Sequence, residues 1–202
     1  MTTPFDLVLL RGWMRDSRHW ENFPDLLGAA LAGAGLTANL QLPDLPGNGR
    51  RNREHTPASI TALATSLRAE FPQRQGRGPL ILVGLSMGGM IAAEWARQDP
   101  QAVRGICLLN SSMRPYALPW QRLRPALWPA VVAQSLRSPA AREARILELT
   151  LGPQRREPAR LARWIAWQRE YPVTLSNVHA QLLAAARYRY PDGAVPHCPC
   201  LL

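Results

Sequence analysis

An α/β fold, with a mostly parallel sheet, crossover helices and an added helical cap, is predicted by three features of these 202 residues. Short, nearly continuous apolar runs alternate with segments of helical apolar spacing as far as Asn110, the order of a parallel sheet with helices on both faces. The alternation then stops: from Ser111 to about Pro191 the chain is rich in tryptophan, arginine and proline and shows no strand-like run. The closing "VPHCPCLL" returns to strand character. The expected organisation is residues 1–110 as the first part of the core, 111–191 as a helical cap and 192–202 as the start of the next core strand.

The elements follow in order. "FDLVLL", Phe5 to Leu10, is continuous and apolar, the pattern of a strand buried on both faces. Trp20 to Leu31 carries helical spacing and stops at Gly33 and Gly35. Leu36 to Leu42 is strand-like and enters the turn-rich "PDLPGNGRRN". Thr56-Pro57 offers a cap and a first-turn proline for the helix "ASITALATSLRAEF". Leu80 to Val83 predicts a strand, Met90 to Arg97 a helix and Val103 to Leu109 a strand. Within the cap, "AAREARILELTL" and "PARLARWIAWQREY" read as helices.

A chain of this length fits one domain and buries roughly 70% of its unfolded surface, enough for a core without metal or disulfide. The formal net charge is +10, yet all 24 basic side chains are arginine, and they are dispersed. The groups Arg50, Arg51 and Arg53, and Arg122, Arg124, Arg155, Arg156, Arg160 and Arg163, form no single tract, so neither nucleic acid nor membrane is an expected partner. Cys107, Cys198 and Cys200 have no framework spacing and no charged-then-apolar leader opens the chain, which together point to a reducing, cytoplasmic compartment. Cys198-Pro199-Cys200 after His197 lacks metal-ligand spacing and reads as a strand entrance; no metal and no other cofactor is expected.

The stretch that carries chemistry is "LILVGLSMGGMIAAEW", Leu80 to Trp95. It sets Ser86 at the tip of a strand-to-helix turn, with Gly84 and Gly88 two residues either side and Gly89 extending the clearance. A serine so placed faces the free N–H groups of the following helix, where negative charge on a substrate oxygen is favoured. The bland alternative is a helix-capping serine.

The chain resembles the α/β-hydrolase superfamily, and within it the small bacterial esterases of the type that includes pimeloyl-carrier-protein methyl esterases. "LVLLRGWMRDSRHW", "PDLPGNGR", "GLSMGG" and "VRGICLLNSS" carry the resemblance. It implies an α/β-hydrolase fold, Ser86 as nucleophile and the backbone N–H groups of Trp13 and Met87 as the oxyanion hole. Arg11 stands where these families usually have histidine, and its donors are expected to hold nearby loop carbonyls. The turn Gly47-Asn48-Gly49 is a milder departure.

In the superfamily the acid follows the strand after the cap and the histidine follows the last strand. "CPCLL" resembles the beginning of that strand, so the expectation is a C-terminally incomplete chain without its acid and base. The residues present are weak substitutes. His19 reads as a surface residue before Trp20, although it is the first candidate should a base be present; His55, His179 and His197 read as structural. Asp192 reads as a turn former, and Asn110 and Ser111 do not ionise usefully.

In the cap, Met113, Tyr116, Trp120, Trp128 and Trp164, with Leu118 and Trp167, line an apolar acyl pocket over Ser86 or pack the cap onto the sheet; both readings stand. The leading function is a serine hydrolase of small carboxylic esters acting through an acyl-enzyme. The alternatives are a catalytically silent relative that binds a ligand or partner under its cap, and a lyase or perhydrolase-like activity on the same fold. An acidic carrier protein as partner has no support in the residues themselves.

Overall fold

The computed structural model describes residues 4–71, 78–122, 125–127, 129, 133, 137–152, 154, 156–194 and 196–202. Strands β1 (Phe5–Leu10), β2 (Ala38–Gln41), β3 (Leu80–Leu85), β4 (Val103–Leu109) and β5 (Cys200–Leu201) pair in parallel in the order β2-β1-β3-β4-β5. Crossover helices α1 (Phe23–Gly33), α2 (Ile60–Ala69) and α3 (Met87–Gln98) connect the first four.

Strand alternation divides the apolar side chains between two layers. Val8, Leu10, Leu80, Leu82 and Ile106 pack with α2 and α3 through Leu63, Leu67, Ile91 and Trp95. Leu7, Leu9 and Val83 face the opposite way and meet Trp20, Phe23, Leu27 and Leu31 of the α1 side. Each aliphatic side chain removed completely from water contributes about 1.5–3 kcal/mol, so the central strands β1 and β3 anchor the sheet.

Between β4 and β5 lie α4 (Pro119–Arg122), α5 (Pro139–Thr150), α6 (Pro158–Glu170) and α7 (Leu175–Arg187). Ser138 caps α5 by accepting from the Ala141 amide, and Thr174 caps α7 by accepting from that of Asn177. Prolines open α5 and α6, where a missing N–H is harmless. The end of α7 is fixed to the sheet domain by the Tyr188 hydroxyl, which donates to buried Glu94 of α3 at 3.2 Å.

Several boundaries differ from those read in the sequence. The helix expected from Trp20 begins at Phe23, because Ser17–Trp20 forms a separate 3-10 turn closed by Glu21 at φ 50°. Thr56 is not the cap of α2; Ser59 is, accepting from the Ala62 amide. Helix α3 starts three residues earlier than apolar spacing indicated, directly after Ser86, since its first turn is glycine-rich. Among the described residues no helix is long and apolar enough to cross a membrane.

Candidate active site

Ser86 is the single residue between β3 and α3, at φ 57° and ψ −120°, with its N–H donating to the Leu109 carbonyl at 2.9 Å. A non-glycine residue held there stores about 1–3 kcal/mol of backbone strain, which close packing must offset. That packing explains the glycines: a Cβ on Gly84 would overlap the Gly88 carbonyl, and one on Gly88 the Leu10 carbonyl. Ser111 Oγ donates to the Ser86 carbonyl, and a Cβ on Gly89 would displace that hydroxyl. Ser111 thus works as a clamp on the strained residue, a role its sequence position does not disclose.

The loop after β1 lies against this turn. A methyl group on Gly12 would sit 3.1 Å from Ser86 Cβ and 3.5 Å from the Met87 nitrogen. Among the described residues neither the Trp13 nor the Met87 amide has a hydrogen-bond acceptor. The loop is pinned from the helical insertion: Trp13 Nε1 donates to the Val178 carbonyl at 3.0 Å, Met14 N–H to Gln181 Oε1 at 2.8 Å, and Gln168 Nε2 to the Met14 carbonyl at 3.3 Å. Among the described residues Arg11 holds no loop carbonyl, against the expectation. Its guanidinium lies 4.9 Å over the Trp20 ring, with no partner for Nε among the described residues, and burial, followed by the charge of Arg15, lowers its pKa to about 10.

His19 is buried at 5% exposure, not a surface residue, because Trp164 and Trp167 of α6 close over it at ring separations of 5.5 and 5.2 Å. Both ring nitrogens are engaged, Nδ1 with Asp16 at 2.9 Å and Nε2 with Arg15 at 2.9 Å. Burial drives the His19 pKa down to about 4; the Asp16 hydrogen bond opposes this and the charge of Arg15 adds to it. Burial raises the Asp16 carboxyl, but hydrogen bonds from His19 and Arg18 outweigh it and hold it well below the usual range. The imidazole is therefore neutral and committed near neutral pH. Arg15 also pairs with buried Glu143 of α5 at 2.5 Å, whose pKa burial pushes up against the pull of Arg15.

The glycine turn belongs to the same polar layer. Asn48, fully buried, donates from Nδ2 to the Arg15 carbonyl at 2.9 Å. Gln181 Nε2 donates to Asn48 Oδ1 at 2.7 Å, and Asn177 Oδ1 accepts the Thr56 amide at 2.9 Å. A Cβ on Gly47, at φ 88°, would collide with Asn177 and Thr56.

The residues expected to line an acyl pocket occupy separate environments. Met113 is buried in the core layer with α3, at 7% exposure, because its segment turns inward beside Tyr188 and Tyr190. Tyr116 and Trp120 are exposed at 62% and 56%, and the Tyr116 hydroxyl donates to the Ala194 carbonyl. Trp164 packs on His19 and Arg15 and donates from Nε1 to Glu21 at 2.9 Å, which is the packing alternative. Trp128, with Arg124 and Arg155, lies outside the described residues. A cleft of about 420 Å³ is lined instead by Arg18, Glu21, Asn22, Arg160, Arg163 and Trp167.

Chemically, a strained, half-buried serine adjoins the Met87 amide at a helix N-terminus and the loop that carries the Trp13 amide, both without acceptors among the described residues, an arrangement that suits attack on a carbonyl whose oxygen becomes negative. Among the described residues no side chain hydrogen-bonds the Ser86 hydroxyl. His55, His179 and His197 are all exposed. Sequence reasoning weighs Ser111 only as an acid and rejects it, without seeing its hold on the Ser86 carbonyl, and it gives Asn177 and Gln181 no role. A polar residue on the apolar face of "VHAQLLAAA" was the available signal for Gln181.

A model of the alpha/beta hydrolase family matches residues 7–202. The chain is 32% identical over 210 residues to a pimeloyl-[acyl-carrier protein] methyl ester esterase of Yersinia enterocolitica, a match covering 95% of this chain and 76% of that protein. It is 34% identical over 107 residues to the enzyme of the same name from Edwardsiella ictaluri, covering 53% of this chain and 36% of the relative. In fold it is similar to a thermophilic esterase from Thermogutta terrifontis, with a TM-score of 0.66 at 20% identity over 99% of this chain and 71% of that one.

Proposed function

The chain belongs to the alpha/beta hydrolase family, and from that premise we propose that it is a serine hydrolase of carboxylic esters with Ser86 as nucleophile. The observation that carries this reading is the strained Ser86 turn with the Gly12–Trp13 loop packed against it and two amides that have no acceptor among the described residues. Ser86 Oγ attacks the ester carbonyl carbon and the carbonyl oxygen takes up negative charge between the Trp13 and Met87 N–H groups. Collapse expels the alcohol, which leaves with the proton given up by the Ser86 hydroxyl, and forms the acyl-enzyme; attack by water then releases the acid, one of the water's protons returning to Ser86 Oγ.

The base is not supplied by His19, whose two nitrogens are held by Asp16 and Arg15. With no side chain on its hydroxyl among the described residues, Ser86 lacks a general-base contribution on the order of a hundred- to ten-thousandfold. The 202 residues are therefore expected to turn over esters slowly, through oxyanion stabilisation and binding. The same observation favours the second reading, a silent relative that binds a ligand beneath α4–α7 acting as a cap. The name of the Yersinia relative makes the methyl ester of an acyl group borne by an acyl-carrier protein the first substrate to try.

The experiment is a short-chain aryl ester assay with fluorophosphonate labelling, on the chain and on Ser86→Ala. Slow turnover and a label on Ser86, both lost in Ser86→Ala, are expected. Equal activity in the two proteins overturns the nucleophile, and absence of labelling favours the binding reading.

A further inference from the structure

Resting on the reading of Ser86, Trp13 and Met87 as the reacting centre, we infer that Gln181 of the cap helix α7 is a positioning residue for the oxyanion site, holding the Trp13–Met14 peptide in place. Gln181 is fully buried. Its Oε1 accepts the Met14 N–H at 2.8 Å, while its Nε2 donates to Asn48 Oδ1 at 2.7 Å and Thr56 Oγ1 at 3.3 Å.

The amide has one workable orientation. Asn48 uses Nδ2 on the Arg15 carbonyl at 2.9 Å, and the Thr56 hydroxyl gives its proton to the Pro46 carbonyl at 2.7 Å. With Nδ2 directed at Arg15 the atom Asn48 turns to Gln181 is its acceptor Oδ1, and Thr56 Oγ1 has only lone pairs to offer, so the Gln181 NH2 faces them and its oxygen is turned toward Met14.

What that bond holds is a strained piece of chain. Met14 lies at φ 58°, in the left-handed region that a side chain of its size rarely adopts. Its side chain is fully buried against Val173 and Val178, and its carbonyl accepts from Gln168 of α6. The anchored Met14 N–H fixes the Trp13–Met14 peptide on one side of Trp13, and on the other Gly12 lies so close to Leu85 that a methyl group on it would sit 3.0 Å from the carbonyl, so the Gly12–Trp13 peptide that carries the Trp13 N–H has little room to rotate. The anchors are borne by α6 and α7. The oxyanion site is thereby assembled only while the cap is seated, and a cap that lifts carries away the support of one donor.

The test uses Gln181→Met, similar in volume and unable to make these bonds, and Gln181→Glu, which burial keeps neutral so that a carbonyl remains for Met14 and an O–H for Asn48. Gln168→Met, cutting the bond to the Met14 carbonyl, is the second variant should Gln181→Met not fold. Three quantities are read: amide hydrogen exchange in residues 11–16, the rate of Ser86 labelling by a fluorophosphonate, and kcat against KM on a short-chain aryl ester. Because an oxyanion donor acts in the transition state, Gln181→Met is expected to lower labelling rate and kcat about ten- to a hundredfold with KM changed less than about twofold. Exchange in 11–16 rises, and Gln181→Glu recovers most of the loss. Raised exchange with an unchanged labelling rate, or a raised KM with unchanged kcat, overturns the positioning role. No labelling of Ser86 in the unaltered protein overturns the nucleophile and this role together, with the exchange data then reporting a structural anchor only.

Discussion

Gly88 and Gly28 look alike in the sequence and are opposite in the structure. A methyl group at Gly88 would run into the Leu10 carbonyl, whereas nothing lies within 4 Å of the place it would occupy at Gly28 in α1. Gly88→Ala is expected to lower stability by about 3 kcal/mol or more, because backbone cannot give way as a side chain does. Gly28→Ala is expected to raise it by about 0.5–1 kcal/mol through helix propensity. Urea unfolding of the two variants checks both. His19 supplies a pH dependence. Its folded pKa of about 4 lies below the 6.5 of a free imidazole, so the unfolded chain takes up a proton in that interval and the folded one does not. Its contribution is complete above pH 6.5 and is lost as pH falls toward 4, by about 3 kcal/mol at most. His19→Gln is expected to lose less stability than the parent between about pH 7 and about pH 4.5, measured by urea midpoints. A parent midpoint that falls no faster than that of His19→Gln contradicts the assignment. The Ser86 turn was legible because its requirements lie within a few contiguous residues. The burial of His19 was not, since it depends on Trp164 and Trp167 from a distant helix.

At the scale of elements, the kinds and order of the core strands and helices could be read from apolar periodicity, and their ends could not. Thr56 has the chemistry of a helix cap, but Asn177 and Pro46 engage its N–H and hydroxyl, and Ser59 caps α2 in its stead. Tertiary demand overrode a local signal. The same contact makes α7 and the Gly47–Thr56 turn one unit: Asn177 accepts the Thr56 amide and donates to the Glu54 carbonyl at 3.0 Å. Asn177→Leu strands a buried amide and is expected to reduce stability by about 1–3 kcal/mol. Limited proteolysis within residues 44–56 should quicken, while hydrogen exchange in β1 and β3 stays slow. Equal loss of protection in the sheet would mean that the inserted helices and the sheet unfold together.

For the whole molecule, the net charge of +10 is an excess of arginine left after many arginines are matched locally by carboxylates. Arg18 meets Asp16 and Glu170, Arg51 meets Glu54 and Glu70, Arg97 meets Glu94, and Arg189 meets Asp192. Duplex DNA is expected to bind weakly in a shift assay and to be released between about 50 and 200 mM salt, as phosphate contacts without base readout are. Sequence-selective, salt-resistant binding would contradict the dispersed-charge account. The joint between insertion and core is polar and buried, built from Arg15, Glu143, Gln168, Asn177 and Gln181, and composition alone offers no view of such a joint because its partners come from opposite ends of the chain. The seating of Trp164 and Trp167 on the His19 ring carries one more consequence. Indole emission is quenched by a charged imidazole and shifts in colour when the indole meets water, so this joint has its own optical reporter. A stopped-flow record of tryptophan fluorescence, with His19→Gln as the control trace, would test the inferred lifting of these helices in real time without any attached dye.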